Sequence, residues 1–315
     1  MKPDVLSLGA FPTGMLATMA ERFTLHHYTV YPLPAGTLAP DIASRIRGIA
    51  TEANRGATRE LIDSLPNLEV ISCFGVGTDA IDMAAARERG IPVSNTPGVI
   101  ADDVADLAIG LMLASARQIL PSDRFAREGR WSDKSTFGLA HNVTGKRVGI
   151  IGLGAIGSGI AARAAAFRMK ISYSEPEPKP GVPYTYVADP VALAHASDFL
   201  IVACFGGPST RHLVSAEVIE ALGPNGTLIN VARGSVIDET AMVKALKAGL
   251  LGAAALDVYE HEPEIPAALK EMPNVILQPH MGTATIETRE MMGQLVVENL
   301  SAKLAGRPLL TPVGG

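Results

Sequence analysis

The sequence predicts an α/β protein with two Rossmann-like domains, each built on a doubly wound parallel sheet. One of the two domains, the substrate domain, is predicted to be discontinuous in sequence. Short apolar strand candidates alternate with helical patterns along the 315 residues, which is typical of parallel sheets covered by helices on both faces. The alternation runs in two series, separated by an apolar helix and a polar segment. The chain is also about twice as long as a domain of roughly 150 residues. Two domains are therefore expected.

The first series begins at the N-terminus. Its strands are predicted at residues 5–8, 29–31, 46–50, 70–73 and at Val93, and its helices at residues 14–22, 58–65 and 81–88.

A single long helix is predicted over residues 102–120, where apolar side chains occur on nearly every face. Such a helix must be buried on most sides, either between two domains or against another subunit. The sequence therefore predicts a homodimer.

The second series begins near Lys146 and has six strand candidates, at residues 148–151, 170–173, 199–203, 227–231, 252–256 and 275–277. Six strands with intervening helices are typical of a Rossmann-like dinucleotide-binding fold. The last helix, residues 285–304, is too short to form a domain, and we expect it to pack on the N-terminal unit. The predicted division is residues 1–98 for the substrate (catalytic) domain, 99–281 for the dinucleotide-binding domain and 282–315 for the helix that returns to the substrate domain.

Composition excludes some partners. Lys and Arg number 27 against 32 Asp and Glu, a net charge of −5, so no positive field attracts nucleic acid or an anionic membrane. Cys73 and Cys204 lie in apolar runs without metal-ligand spacing, and no metal site is expected. Free thiols and the lack of an apolar stretch long enough to span a bilayer favour a cytoplasmic protein.

A glycine fingerprint follows the first strand of the second series. Its first glycine permits a tight turn, its second lets the backbone approach a pyrophosphate, and its third lets helix pack on strand. Free N–H groups and the helix dipole then hold the phosphates. The predicted cofactor-binding turn consists of Gly152, Leu153, Gly154, Ala155, Ile156 and Gly157.

An acidic residue follows the next strand at the distance expected for a ribose ligand. Glu175 lies 18 residues beyond Gly157, and a carboxylate there accepts hydrogen bonds from a ribose diol and repels a 2′-phosphate. NAD(H) is therefore favoured, with NADP(H) as the alternative. A second interpretation places Ser174 at the ribose and Glu175 in solvent.

Three polar side chains follow strands of this series. Arg233 comes after residues 227–231, Glu262 lies in the loop after residues 252–256, and His280 follows residues 275–277. Because the carboxyl ends of parallel strands meet at one edge, we expect these side chains to converge. A hydride-accepting carbonyl needs a proton donor, and the fork of an arginine grips carboxylate and carbonyl oxygens together.

Five segments in a fixed order carry a resemblance to a known family: residues 74–79, 148–157, 230–239, 255–263 and 278–285. In these segments the chain resembles the D-isomer-specific 2-hydroxyacid dehydrogenase family, and most of all its glyoxylate/hydroxypyruvate reductase branch. The resemblance covers essentially the whole chain.

The resemblance implies roles for individual residues. His280 would be the acid/base, Glu262 its carboxylate partner and Arg233 the cation that orients the substrate. A carboxylate beside an imidazole favours the charged form, which suits proton delivery to a forming alkoxide. The amides of Val76 and Gly77 would hold the substrate carboxylate, together with Arg233 and His280. Further cofactor contacts are implied for Thr210, Val231, Ala232, Asp257 and Gly282.

The implied reaction is hydride transfer between a nicotinamide cofactor and a small 2-oxo or 2-hydroxy acid, with glyoxylate or hydroxypyruvate as the first choice. The branch often carries an arginine after the second strand that selects NADP(H). Here Glu175, Pro176 and Glu177 occupy that stretch, which supports NAD(H). Two alternatives stay open: a reductase of arylpyruvates or other bulkier 2-oxo acids, and a binding protein that senses dinucleotides.

Overall fold

The computed structural model describes residues 2–31, 33, 37–133 and 136–314. Within these ranges the strands are β1 (Asp4–Leu8), β2 (Thr24–Tyr28), β3 (Ile46–Glu52), β4 (Val70–Phe74), β5 (Val93–Ser94), β6 (Arg147–Ile151), β7 (Lys170–Ser174), β8 (Thr185–Tyr186), β9 (Phe199–Val202), β10 (Thr227–Asn230), β11 (Ala253–Leu256) and β12 (Val275–Leu277). The helices are α1 (Thr13–Arg22), α2 (Pro40–Ala43), α3 (Arg59–Ser64), α4 (Met83–Glu88), α5 (Ala101–Ala116), α6 (Ile119–Arg127), α7 (Ala155–Ala166), α8 (Pro190–His195), α9 (Ala216–Leu222), α10 (Glu239–Ala248), α11 (Ala267–Lys270) and α12 (Ile286–Leu304).

The chain folds into two compact units. Unit 1 comprises Met1–Ile100 and Ala284–Gly315, and unit 2 comprises Ala101–Thr283. Unit 1 holds a five-stranded parallel sheet in the order β2-β1-β3-β4-β5, with a core of aliphatic side chains such as Leu6, Ile49 and Ile71. Each of its inner strands is buried along most of its length, as expected for a parallel sheet covered by helices.

The last helix belongs to unit 1, where α12 packs on β3, β4 and α1. Thr285 caps its N-terminus by accepting a hydrogen bond from Thr288 N at 3.2 Å. Near its C-terminus the buried Asn299 accepts hydrogen bonds from the amides of Leu310 and Thr311, and Thr311 Oγ1 donates to Asn95 O at 2.6 Å. The end of the chain is thereby attached to the loop after β5.

Unit 2 holds a seven-stranded parallel sheet in the order β12-β11-β10-β9-β6-β7-β8. The strand order reverses between β6 and β9, and ligands of open α/β sheets bind outside the carboxyl ends at such a point. The aliphatic core beneath this edge includes Leu200, Leu228 and Leu256, all buried. The predicted α/β class with two parallel-sheet domains is confirmed.

Two strand predictions need correction. The second strand is β2, not residues 29–31, which form bends. The prediction missed β2 because it is an edge strand of partly exposed Thr, His and Tyr side chains, held by backbone pairing with β1 and by the hydrogen bond between His26 Nε2 and Asp4 Oδ1 at 2.7 Å. The second sheet has seven strands rather than six, since the two-residue β8 is too short to leave a periodic signal.

The helix predicted over residues 102–120 is two helices. α5 ends at Ala116, Gln118 adopts a left-handed φ of 49°, and α6 starts at Ile119 with a bend of 60°. Pro121 explains the break, because in a continuous helix its ring would collide with the preceding turn, whereas it is accepted in a first turn. α5 packs on α7 and on β10, β11 and β12, so its own unit buries most of its apolar surface.

None of the described helices is by itself long and apolar enough to cross a membrane. Only α5 and α6 taken together, with their 60° bend, reach that length and composition.

Candidate active site

The glycine fingerprint forms the turn between β6 and α7 in unit 2. Gly152 has a φ of 91°, and a Cβ there would lie 2.5 Å from Cys204 Cα. A Cβ on Gly157 would lie 2.0 Å from Gly152 O, so the third glycine lets the first turn of α7 pack on β6. A Cβ on Gly154 would meet no atom within 4 Å among the described residues. The second glycine thus leaves the N-terminus of α7 open to a phosphate group.

The loop after β7 fixes this turn from the side. Leu153 N donates to Glu175 Oε1 at 2.6 Å, and Lys179 Nζ donates to Leu153 O at 2.7 Å. Lys179 Nζ also lies 3.6 Å from Glu175 Oε1. Ser174 is buried, and its hydroxyl donates to Ala188 O at 3.2 Å. The carboxylate of Glu175 therefore lies on the glycine turn, with Oε2 making no hydrogen bond to another described residue.

Three other predicted cofactor residues lie past the neighbouring strands. Thr210 follows β9, and its hydroxyl donates to Phe205 O at 2.7 Å. Val231 and Ala232 follow β10 and are buried, with Ala232 N donating to Asn230 Oδ1 at 3.0 Å. Together with the glycine turn they line the carboxyl edge of one sheet.

Asp257 organises the loop that carries His280. Its carboxylate accepts hydrogen bonds from Met281 N at 2.6 Å and Gly282 N at 2.9 Å, and its backbone oxygen accepts from His280 N at 2.9 Å. Burial raises the pKa of Asp257, and the two amide donors act against that rise. His280 itself has a left-handed φ of 56°, a backbone conformation that this network maintains.

His280 and Glu262 form the central pair of the site. His280 Nδ1 lies 2.7 Å from Glu262 Oε2, and Glu262 Oε1 accepts a hydrogen bond from Tyr259 N at 3.1 Å. Burial by itself raises the pKa of Glu262, but the hydrogen bond and charge of His280 outweigh it and hold that pKa below its ordinary value. This bond leaves Nε2 of the imidazole as the nitrogen that can exchange a proton with a ligand.

Arg233 lies in the same group of loops. Its Nη1 donates to Ala232 O at 2.8 Å, and its charge helps to lower the pKa of Glu262. Gly206 makes room for this side chain, because a Cβ there would lie 2.6 Å from Arg233 Cγ. A Cβ on Gly234 would lie 1.9 Å from Tyr259 C, so this glycine lets the loop of Arg233 approach the loop that leads to Glu262. The structure therefore places Arg233, Glu262 and His280 in adjoining loops of unit 2, as the strand ends suggested.

In unit 1 the turn after β4 presents two amides. Gly75 N donates to Thr96 Oγ1 at 3.1 Å and Asn95 Nδ2 donates to Val76 O at 2.8 Å, which fixes the turn. In the part of the chain that the structure describes, the N–H groups of Val76 and Gly77 have no acceptor. Two neighbouring unpaired amides are suited to hold a carboxylate.

Sequence reasoning missed the network that holds the loop of Glu262. Glu260 Oε1 accepts a hydrogen bond from Arg211 Nη2 at 2.8 Å and lies 3.1 Å from His212 Nε2. The carboxylate of the buried Glu239 accepts a hydrogen bond from Glu260 N at 3.3 Å. Nothing in the spacing of these residues connects them. The hydrogen bonds of Glu175 and Lys179 with Leu153 were more accessible to prediction, because Glu175 was expected to lie close to the cofactor-binding turn.

The chain is similar to known proteins along its whole length. The family model for the NAD binding domain of D-isomer specific 2-hydroxyacid dehydrogenases matches residues 109–282. The chain is 48% identical to a hydroxyphenylpyruvate reductase of Plectranthus scutellarioides, over 98% of both chains. It is 47% identical to a glyoxylate/hydroxypyruvate reductase of Arabidopsis thaliana, over 94% of both.

One solved structure is informative about the cofactor. It is an NADPH-dependent glyoxylate/hydroxypyruvate reductase from Sinorhizobium meliloti in complex with NADP and malonate. It superposes with a TM-score of 0.94 at 40% identity, covering 100% of this chain and 97% of that one.

Proposed function

Because the chain belongs to the D-isomer specific 2-hydroxyacid dehydrogenases, we propose that it reduces small 2-oxo acids, with glyoxylate and hydroxypyruvate as its preferred substrates. The family interconverts 2-oxo and 2-hydroxy acids with a nicotinamide cofactor. The observation that carries the proposal is the 2.7 Å contact between His280 Nδ1 and Glu262 Oε2, in a loop next to Arg233. It joins a proton donor to a group that stabilises its charged form.

The chemistry of this chain's residues follows from that pair. The nicotinamide, when bound, supplies the hydride. His280 donates a proton from Nε2 to the carbonyl oxygen of the 2-oxo acid, and Glu262 stabilises the imidazolium that is present before the transfer. Arg233 binds the substrate's carboxylate or carbonyl oxygen and orients the carbonyl carbon. In unit 1, the amides of Val76 and Gly77 are assigned to the substrate carboxylate.

Unit 2 is proposed to bind the dinucleotide, and the amides of unit 1 are proposed to hold the carboxylate of the organic acid. The open N-terminus of α7 at Gly154 fits a pyrophosphate, since nothing there blocks its approach. Thr210, Val231, Ala232 and Gly282 line the same strand ends. Asp257 is proposed to accept a hydrogen bond from the nicotinamide carboxamide besides those from Met281 and Gly282.

We further propose a preference for NAD(H) over NADP(H). Glu175 is held on the glycine turn by Leu153 N, which leaves Oε2 to accept hydrogen bonds from a ribose diol. A 2′-phosphate would meet this carboxylate at close range. Lys179, 3.6 Å from Glu175, weakens that repulsion. The Sinorhizobium meliloti relative binds NADP, so the test measures turnover with NADH and with NADPH.

A second substrate class has a specific observation in its favour. The relative that is 48% identical to this chain is named a hydroxyphenylpyruvate reductase. Reduction of arylpyruvates is therefore the second candidate function, with the same proton donor and the same orienting arginine.

A homodimer and a cytoplasmic location complete the proposal. Since α5 is covered by its own unit, the dimer is supported by apolar side chains farther along: Leu120 is 51% exposed and Trp131 is 78% exposed. Leu120 also lines a groove of about 510 Å³ with Phe125 and Phe137. Cys73 and Cys204 form no disulfide among the described residues, which supports a reducing compartment.

The experiment follows the absorbance of NADH or NADPH with glyoxylate, hydroxypyruvate and phenylpyruvate. We expect turnover of the first two, faster with NADH.

His280→Gln should lower kcat by about 10²- to 10⁴-fold while NADH binding is retained, because the proton donor is lost and the cofactor turn is untouched. His195→Gln, an exposed histidine at the end of α8, is the matched control. Unchanged turnover in His280→Gln would refute the assigned role, and NADH binding without turnover of any acid would indicate a dinucleotide sensor instead.

A further inference from the structure

The carboxyl edge of the unit 1 sheet has its own ligand-binding position. In the order β2-β1-β3-β4-β5 the strand order reverses between β1 and β3, and sheets of this order bind ligands outside the carboxyl ends at that point. Phe11 lies in the loop after β1, Glu52 ends β3 and Phe74 ends β4. This edge therefore combines aromatic and charged side chains around a predicted ligand crevice.

Arg289, in the first turn of α12, adds a cation to this edge. Its Cζ lies 5.3 Å from the centroid of the Phe74 ring, and the ring of Phe11 packs edge-on against Phe74 at 5.5 Å. Burial lowers the pKa of Arg289, and the charge of Glu52 acts in the opposite direction. The guanidinium is thus positioned by an aromatic face, an arrangement that fixes its plane.

The guanidinium N–H donors of Arg289 have no acceptor among the described residues. Glu52, the nearby carboxylate, is bound by Arg55 Nε at 2.6 Å. Among the described residues the guanidinium of Arg289 forms no hydrogen bond or ion pair, and none of the side-chain nitrogen or oxygen atoms of these residues is both buried and unpartnered. The donors of Arg289 therefore remain accessible to solvent or to a ligand.

We propose that Arg289 recognises an oxygen-bearing substituent on the third carbon of the 2-oxo acid, and so selects hydroxypyruvate over acids with an apolar substituent. This inference rests on the proposed function. The amides assigned to the substrate carboxylate, those of Val76 and Gly77, begin two residues beyond Phe74. A substituent of the same acid then lies near the guanidinium, and its oxygen accepts from donors that are partly desolvated and hence strong.

The test compares three substrates in two variants. Pyruvate differs from hydroxypyruvate only in lacking the hydroxyl group, and glyoxylate has no third carbon. Arg289→Met keeps the length and apolar packing on Phe74 but removes every donor. We expect the ratio of kcat/KM for hydroxypyruvate to kcat/KM for pyruvate to fall about 10-fold or more, mainly through KM. The hydroxypyruvate-to-glyoxylate ratio should fall likewise.

Arg289→Lys tests the fork separately. Because lysine keeps the charge and one donor direction, we expect a smaller fall in both ratios than in Arg289→Met. Arg22→Met is the matched control, since Arg22 is an exposed arginine of unit 1 that pairs with Glu298. It should leave both ratios unchanged.

The outcomes separate this inference from the proposed function. Equal losses on all three acids would overturn it, because Arg289 would then bind the common carboxylate or support the fold. Unaltered ratios in Arg289→Met would overturn it as well. If the unmodified protein binds NADH but reduces none of the acids, the proposed function itself has failed, and this inference falls with it.

Discussion

At the scale of single residues, the site depends on how Glu262 is held. One carboxylate oxygen accepts from Tyr259 N and the other contacts His280 Nδ1, so the side chain has two partners on opposite sides. The imidazole therefore has a fixed orientation and a neighbour whose negative charge is retained. The lowered pKa of Glu262 means that the pair stays charged further into acid than an ordinary glutamate would allow.

Glu262→Gln should lower kcat by about 10- to 100-fold, since the amide keeps the shape but removes the charge that stabilises the imidazolium. It should also lower the melting temperature at neutral pH. A carboxylate with a lowered pKa stabilises the folded state above its unfolded pKa, and that contribution disappears as the pH falls through the lowered pKa. Melting curves of both proteins should therefore converge in acid.

The control for this change is Glu264→Gln, two residues along the same loop and exposed. It should leave kcat and the melting temperature unchanged at neutral pH. A constant difference in melting temperature between Glu262→Gln and the unmodified protein at every pH would show that the charge of Glu262 is not responsible.

At the scale of elements, the turn between β6 and α7 assigns different tasks to its glycines. Gly157 is required by the fold, because a Cβ there would lie 2.0 Å from Gly152 O. Gly154 is not, because its φ of −69° suits any residue and a Cβ meets nothing within 4 Å among the described residues. We therefore expect the missing side chain of Gly154 to matter for the proposed pyrophosphate and not for the fold.

Gly154→Ala should therefore leave the melting temperature nearly unchanged and weaken NADH binding, measured by fluorescence titration. Gly157→Ala should lower the melting temperature, because α7 must move away from β6 to admit the methyl group. The two variants control for each other, because both add one methyl group to the same turn. Normal NADH affinity in Gly154→Ala would argue against a pyrophosphate at this turn.

The elements also show what could be predicted from sequence. Six of the seven strands of unit 2 were identifiable, because short apolar runs precede glycine or polar turns, and residues placed just past them came together in adjoining loops. β2 was not identifiable, because an edge strand of Thr, His and Tyr has no buried alternation. The Arg211, His212, Glu239 and Glu260 network was equally hidden, since its partners come from segments up to 49 residues apart.

At the scale of the whole molecule, the apolar surface of α6 and the segment after it bears on assembly. We expect a dimer by sedimentation at micromolar concentration, and Leu120→Lys should shift the population to monomers, because a charge cannot be buried without a partner. Leu310→Lys, at a leucine of unit 1 that is 54% exposed, is the matched control and should remain dimeric. A monomeric unmodified protein would remove the dimer from the proposal.

The attachment of α12 to β3 and β4 affects how the polypeptide matures on the ribosome. Unit 2 is complete once Thr283 has left the exit tunnel, whereas the sheet made from the residues up to Ile100 lacks the helix that covers it until α12 has also been made. The sheet of unit 1 is thus finished after unit 2, although its strands are made before unit 2, and its apolar face stays uncovered in that interval. We therefore expect the nascent chain to need chaperones most in that interval. A stop codon that falls before α12 should leave the sheet of unit 1 uncovered.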